Sequence, residues 1–302
     1  MNSELDELKL NYRKLKISDY YQFKKLFKSS FNKKISRHFY KWRYFKDKHS
    51  FCYGAFKSST LIANVGMFSV KLNNNKGDKV FSRHSSMVLK KYRLKGVFSS
   101  LLNKVKKKFL KKNNLVVMWP NKNNFANFGL NRDKIIEKKY YLYKTISKPY
   151  ALNTKKLNSI DELNNFKHLI NQKKSFFYKD FNYFKKRYLL YRKRDYYINK
   201  FKFKNFESFF ILKFHKESSQ KYFVILDHFG SEKIINKHFS SLIKSQKKII
   251  FLSQKKITSS NTKLLNNIYL KVGFIKTYTK IKKKNFLKKQ IFLGDTDIFI
   301  TI

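Results

Sequence analysis

The sequence is poor in residues that cross-link, break or neutralise a chain. Among 302 residues there is one cysteine, two prolines and eight glycines, and only 18 carboxylates stand against 70 lysines and arginines. A single thiol, Cys52, excludes a disulfide framework and a thiolate-built metal site. It lies in an apolar run, Phe51-Cys52-Tyr53-Gly54-Ala55-Phe56, and reads as a buried structural thiol rather than a nucleophile. Scarce glycine and proline argue against long flexible linkers. No apolar run approaches the roughly 20 residues that span a bilayer as a helix. The opening Met1-Asn2-Ser3-Glu4-Leu5-Asp6-Glu7 is acidic and polar, unlike a signal peptide. The expectation is a soluble cytoplasmic protein.

What the chain does contain is aromatic and basic. Hydrophobic residues make up 42% and aromatics 18%, enough for a packed core, which excludes wholesale disorder. The length suits one large domain or two of about 150 residues each. The formal net charge of +52 would draw nucleic acid, acidic headgroups or phosphorylated ligands. A compositional origin competes with that reading. The excess is mostly Lys spread along the chain, together with Asn, Ile, Phe and Tyr, all served by AT-rich codons. Arg clusters, which pair bidentately with phosphate, are missing.

Residue patterns predict helices over 18–31 and 36–45, the first opened by Ser18-Asp19 with Phe23, Leu26 and Phe27 at helical spacing, the second offering Phe39, Trp42 and Phe45. Strands follow at 51–57, 61–70 and 80–89, the last two separated by a polar loop at 72–79. After Gly96, the residues Val97, Phe98, Leu101, Leu102, Val105 and Phe109 mark an amphipathic helix with Lys outside. Then come an apolar strand at 115–119, a short helix at 123–128 and a strand at 135–146. The second half repeats this order, with strands at 208–214 and 222–228, a helix at 233–244, a strand at 249–252 and a helix at 261–271. Phe184-Lys185-Lys186-Arg187-Tyr188 resembles Phe39-Tyr40-Lys41-Trp42-Arg43-Tyr44. Two α/β domains, 1–148 and 149–302, from one duplication are expected.

Strand, tight Gly turn, then helix is an arrangement that holds phosphate. The first amides of a helix lack intrahelical partners, and the helix dipole adds positive potential there. Gly96 would let a phosphate approach the backbone, and Arg93 and Lys95 add charge. The stretch from Val88 and Leu89 through Arg93-Leu94-Lys95-Gly96-Val97-Phe98 resembles the acetyl-CoA motif of the GNAT superfamily of N-acetyltransferases. That motif is Arg/Gln-x-x-Gly-x-Gly/Ala, entered from a strand ending in Val. Val88, Arg93 and Gly96 match, while Phe98 stands where a small residue is usual. The resemblance covers 11–145 and, more loosely, 175–302.

The resemblance implies a fold of two tandem GNAT-like α/β domains. Each would be a mixed, mostly antiparallel twisted sheet flanked by helices, the second one degenerate. It implies acetyl-CoA as acyl donor and a small amine, possibly an amino sugar of surface polysaccharide, as acceptor. It implies that Val88 and Leu89 pair with pantetheine, that Leu94, Lys95, Gly96, Val97 and Phe98 give amides to the pyrophosphate beside Arg93, and that Asn124 lies near the thiol. The superfamily often has a Tyr as acid where this chain has Phe125. His84, with an ordinary imidazole pKa of about 6.5, is a base candidate on the strand leading to the motif, or else a strand histidine without a chemical role. Asp78 is a second, weaker base candidate. In the second half Tyr269 keeps the family position, but His228-Phe229-Gly230-Ser231-Glu232-Lys233 lacks the Arg-x-x-Gly turn, so only the first half is expected to bind donor.

Asp295 and Asp297 read as a turn rather than a metal site, so no metal is expected. The aromatic-basic stretch from Phe176 through Lys179 to Tyr197 would stack on bases or form the packed helix that opens the second domain. Two other functions stay open: a basic nucleic-acid-binding protein, and a Fem-type transferase using aminoacyl-tRNA.

Overall fold

The structure, a computed structural model, describes residues 8–71, 79–109, 115–118, 135–145, 154–157, 159–170, 179–189, 196–217, 220–245, 249–253 and 262–275. These form two compact units. The first contains residues 8–71 and 79–109, the strand at 115–118 and the strand end at 272–275; the second contains the described residues from 136 to 271.

The first unit opens with β1 (Leu10–Lys14) and a short 3-10 turn, Ile17–Asp19. Asp19 accepts from the Lys16 amide at 2.6 Å and from both Arg13 guanidinium nitrogens at 2.7 and 2.8 Å. These bonds close the 3-10 turn, and α1 (Tyr20–Phe31) follows it, ending at Asn32 with φ 51°, the left-handed closure that Asn tolerates. Ser36 Oγ then accepts from the Phe39 amide at 3.1 Å and caps α2 (Arg37–Phe45). Phe23, Leu26 and Phe27 are buried, as their spacing predicts. The chain continues through β2 (Phe51–Lys57), β3 (Thr60–Lys71), β4 (Lys79–Val88), α3 (Val97–Phe109) and β5 (Leu115–Met118). Val97, Leu101 and Val105 of α3 pack on Phe51, Tyr53, Ala63, Val65 and Val116.

Next come β6 (Ile135–Thr145), β7 (Thr154–Lys156), α4 (Ile160–Asn164), α5 (Phe181–Phe184, continuing as a π turn to Leu189), β8 (Tyr196–Phe203), β9 (Phe206–Glu217), β10 (Gln220–Gly230), α6 (Ile235–Ser245), β11 (Ile249–Ser253) and β12 (Thr262–Ile275). Their core gathers Leu163, Phe184, Tyr188, Phe209, Ile211, Val224, Leu226 and Phe229.

The two units share one plan. In the first, β1, β2, β3 and β4 pair antiparallel in sequence order and β4 pairs parallel with β5. In the second, β7, β8, β9 and β10 pair antiparallel and β10 pairs parallel with β11. Each parallel strand then takes an antiparallel neighbour from the other half of the sequence. Gly273, Phe274 and Ile275 of β12 pair with Met118, Val117 and Val116 of β5, and β6 pairs with β11 from Lys144 opposite Ile250 to Tyr141 opposite Ser253. The α/β class and the mixed, mostly antiparallel sheet agree with the sequence reading.

Two expectations need correction. Residues 262–275 are a strand, not a helix over 261–271. Ile268, Leu270, Val272 and Phe274 alternate with period two, and a partner for the outer edge of β5 turns that ambiguous pattern into a strand. The helix expected to run as far as Tyr197 ends at Leu189, and Tyr196 opens β8. Contacts group β6 with the second unit and residues 272–275 of β12 with the first. The expected helix at 123–128 lies outside the described residues.

Candidate functional site

β4 runs beside β5 only from Val80 opposite Leu115 to Arg83 opposite Met118. Beyond this point β4 carries a bulge. Its register on β3 moves from His84 opposite Gly66 to Met87 opposite Asn64, so one residue of β3 faces two of β4. Ser85 sits in the bulge with φ 46°, a conformation that costs an L-residue roughly 1–2 kcal/mol. Two contacts hold it there. Asn64 Nδ2 donates to the Ser85 carbonyl at 3.0 Å, and the Tyr44 and Ser85 hydroxyls are 2.5 Å apart.

After the bulge the ladder resumes, and the Leu89 amide donates to the Ile62 carbonyl at 2.9 Å. Alternation along an antiparallel ladder then points the main-chain groups of Val88 away from β3, toward the β5 side. The Leu89 carbonyl accepts from the Tyr92 amide at 2.9 Å through the 3-10 turn Lys90–Tyr92. Arg93 Nε donates to the Val88 carbonyl at 3.1 Å, tying the turn back to the strand.

Leu94 has φ 64° and Gly96 has φ 72°. These two left-handed residues reverse the chain so that α3 begins at Val97, directly after the strand and turn. Arg93, Leu94 and Lys95 are exposed, Leu94 to 95% of its surface. The Ser100 amide bonds the Gly96 carbonyl at 3.0 Å, so the amides before it, in the first turn, have no intrahelical acceptor. Exposed cations, a positive helix end and a glycine without a Cβ therefore meet in one turn, which suits an anion worth roughly 0.3–2 kcal/mol to the helix dipole. Arg83, buried on β4, lies 5.7 Å from the Phe98 ring centre, and burial holds its guanidinium down to about 10.

The structure thus brings Val88, Leu89 and Arg93 through Phe98 together around one strand end. His84 lies next to them in sequence but is buried, its ring edge-on to Phe68 at 6.4 Å. Asn124, Phe125, Asp78, Asp295 and Asp297 lie outside the described residues. Cys52 is buried, and burial pushes its thiol well above its ordinary range, as suits a structural role. Sequence reading missed Tyr44, Asn64 and Ser85. Only the Ser85-Ser86 break in the apolar alternation of the strand signals them.

In the second unit β10 has its own register shift, between Ile225 and Asp227. Here buried side chains crowd the bulge. Lys179 and Asp227 form a buried ion pair, Tyr188 OH donates to Asp227 Oδ2 at 2.5 Å, and Tyr183 OH reaches the same oxygen at 3.3 Å. Lys179, Arg187, Tyr188 and Tyr196 are all buried, so these members of the aromatic-basic stretch pack inward rather than stack on bases. Gly230 (φ 94°) leads into the 3-10 turn Glu232–Ile234 and α6 with no arginine-bearing turn between. Among the described residues no cluster of His, Cys, Asp and Glu fits a metal, and no helix is long and apolar enough to cross a membrane.

Comparison with known proteins follows this geometry. Residues 11–128 match the family model described as Acetyltransferase (GNAT) domain. The fold is similar to a GCN5-related N-acetyltransferase from Anabaena variabilis, with TM-score 0.62 and 8% identity over 87% of this chain and 72% of that one. It is similar to a probable N-acyltransferase of unknown function from Enterococcus faecalis, with TM-score 0.60 and 13% identity over 87% and 72%. A putative acetyltransferase from Pyrococcus horikoshii aligns with TM-score 0.57 and 11% identity over 94% of both chains. No curated protein matches the sequence significantly. Strand, bulge, basic turn and helix lie within the matched segment, and residues 11–128 are a domain of the GNAT acetyltransferase family.

Proposed function

We propose that the chain is an acyl-CoA-dependent N-acyltransferase with acetyl-CoA as donor and a small amine as acceptor, an amino sugar being the first class to try. The observation that carries this is the Arg93–Phe98 turn, where α3 opens directly after the end of β4. Acetyl-CoA supplies an acyl group activated as a thioester. The Val97 and Phe98 amides and the Arg93 and Lys95 side chains would receive its pyrophosphate, with Leu94 and Gly96 shaping the turn. Val88 would pair with pantetheine through its outward main-chain groups. Leu89 spends its amide on Ile62, and its carbonyl, which already accepts from the Tyr92 amide, would reach pantetheine only through its second lone pair. Asn124 is put near the thiol by family resemblance alone.

His84 is the residue we put forward as base, because it directly precedes the bulge where β4 leaves β5. The second unit shares the strand order of the first, which supports an origin by duplication. Its bulge is filled by Lys179, Asp227 and Tyr188, which supports a unit without a donor site. The cytoplasm, where acyl-CoA is made and used, is the expected location. The charge of +52 favours a second reading, polyanion binding, for which affinity would fall steeply with salt.

The test is acceptor-dependent release of free thiol from acetyl-CoA across a panel of amines that includes amino sugars. Release that rises with one amine class and is lost in Gly96→Glu supports the reading. No amine-dependent release from protein that binds acetyl-CoA would leave a binding protein, not a transferase.

A further inference from the structure

Ser85 is held in a backbone conformation that its side chain does not favour, at the point where β4 parts from β5. Asn64, buried on β3, takes its carbonyl, and Tyr44, buried on α2, takes its hydroxyl. The tyrosine is itself fixed by packing. The Tyr44 ring occupies the space a Cβ on Gly66 would need, 2.6 Å from it, so the glycine is what lets the tyrosine reach Ser85. A strained residue held from two sides by a packed network is a device for fixing direction. What it directs is the segment from Ser85 to Val88, whose outward edge faces the β5 side and whose end is tied to Arg93.

We propose that Tyr44 and Asn64 are positioning residues for the acyl end of the donor: they clamp Ser85 in the left-handed conformation and so set the edge of β4 against which the acyl-pantetheine arm lies. The proposal rests on the acyl-CoA reading above. Neither residue needs to touch the donor. The clamp acts on the acyl-pantetheine end, whereas the Arg93–Phe98 turn acts on the phosphates, so the two ends of one ligand report on different residues.

The experiment uses the full chain and two probes, acetyl-CoA and adenosine 3′,5′-bisphosphate, titrated calorimetrically. Tyr44→Phe keeps the ring against Gly66 and removes the hydroxyl. It should weaken acetyl-CoA about tenfold, the scale of one lost hydrogen bond, and leave the bisphosphate unchanged. Ser85→Gly adopts positive φ unaided and should bind acetyl-CoA as the wild type does. In that background Tyr44→Phe should have no further effect. Ser85→Val, whose branched side chain resists positive φ, should repeat the selective loss with Tyr44 intact, whatever happens to the stability of Tyr44→Phe. Equal weakening of both probes, no weakening, or a Tyr44→Phe loss that persists beside Ser85→Gly overturns the clamp while acetyl-CoA binding stands. Wild-type protein that binds neither probe overturns the acyl-CoA reading and the clamp with it.

Discussion

His228 and His238 lie buried in the second unit on either side of Ser208. The Ser208 hydroxyl is 2.9 Å from His228 Nε2 and 2.9 Å from His238 Nδ1, and His238 Nε2 is 2.7 Å from Asn199 Oδ1. Asn199 Oδ1 can only accept, so His238 carries its proton on Nε2. Its Nδ1 then accepts from Ser208, which accepts from His228. Both rings are neutral in this chain, and burial pushes both down to about 3 from an ordinary 6.5. The unfolded chain therefore binds protons below about 6.5 that the folded one refuses until about 3, so stability is full above that window and lost as pH falls through it. Urea midpoints should fall between pH 7 and 4, and His238→Gln should flatten the slope. A midpoint independent of pH over that range contradicts this. At Gly66 an added Cβ meets Tyr44 at 2.6 Å and the His84 carbonyl at 3.1 Å, so Gly66→Ala should cost about 1–3 kcal/mol by denaturant titration. None of these partnerships is legible in the sequence. A serine or histidine on a strand shows its residue type there, and only the packed structure shows what stands opposite. Arg93 and Gly96 were legible because their roles depend on spacing within one turn.

At the scale of elements, legibility followed periodicity. Helices α1, α2 and α3 bury one face each, and Phe23, Leu26, Phe27, Leu101 and Val105 announce those faces at helical spacing. β1 and β7 are edge strands of 5 and 3 residues, too short for alternation to show. β12 failed for another reason: its residues satisfy both periods, and the open edge of β5, far away in sequence, decides between them. The exchange of β6 and β12 makes each unit depend on the other half of the chain. A chain ending at residue 261 should therefore melt lower and lose acetyl-CoA affinity, although every residue of the Arg93–Phe98 turn is retained. A melting temperature and affinity equal to those of the full chain would show that β12 adds nothing to β5.

For the whole molecule, charge is the quantity that composition makes obvious and leaves ambiguous. Seventy cations against 18 carboxylates repel one another, and added salt screens that repulsion. The melting temperature should rise between low salt and about 0.5 M, where the Debye length falls to a few ångströms. A fall in melting temperature would mean that ion pairs such as Arg13–Asp19 outweigh the repulsion. The repeated strand order was legible in outline, because the apolar runs of β3, β4 and β5 and those of β9, β10 and β11 recur in the same order. The difference between the units was legible only as a missing Arg-x-x-Gly turn, and the structure adds the buried ion pair at the second bulge. The central proposal is one acyl-CoA site per chain, at the Arg93–Phe98 turn. Calorimetric titration of acetyl-CoA into the full chain, beside Gly96→Glu, tests it most directly. The account predicts one molecule bound per chain and binding abolished in the variant, which should remain folded by circular dichroism. Two molecules bound, none bound, or binding unchanged in Gly96→Glu would contradict it.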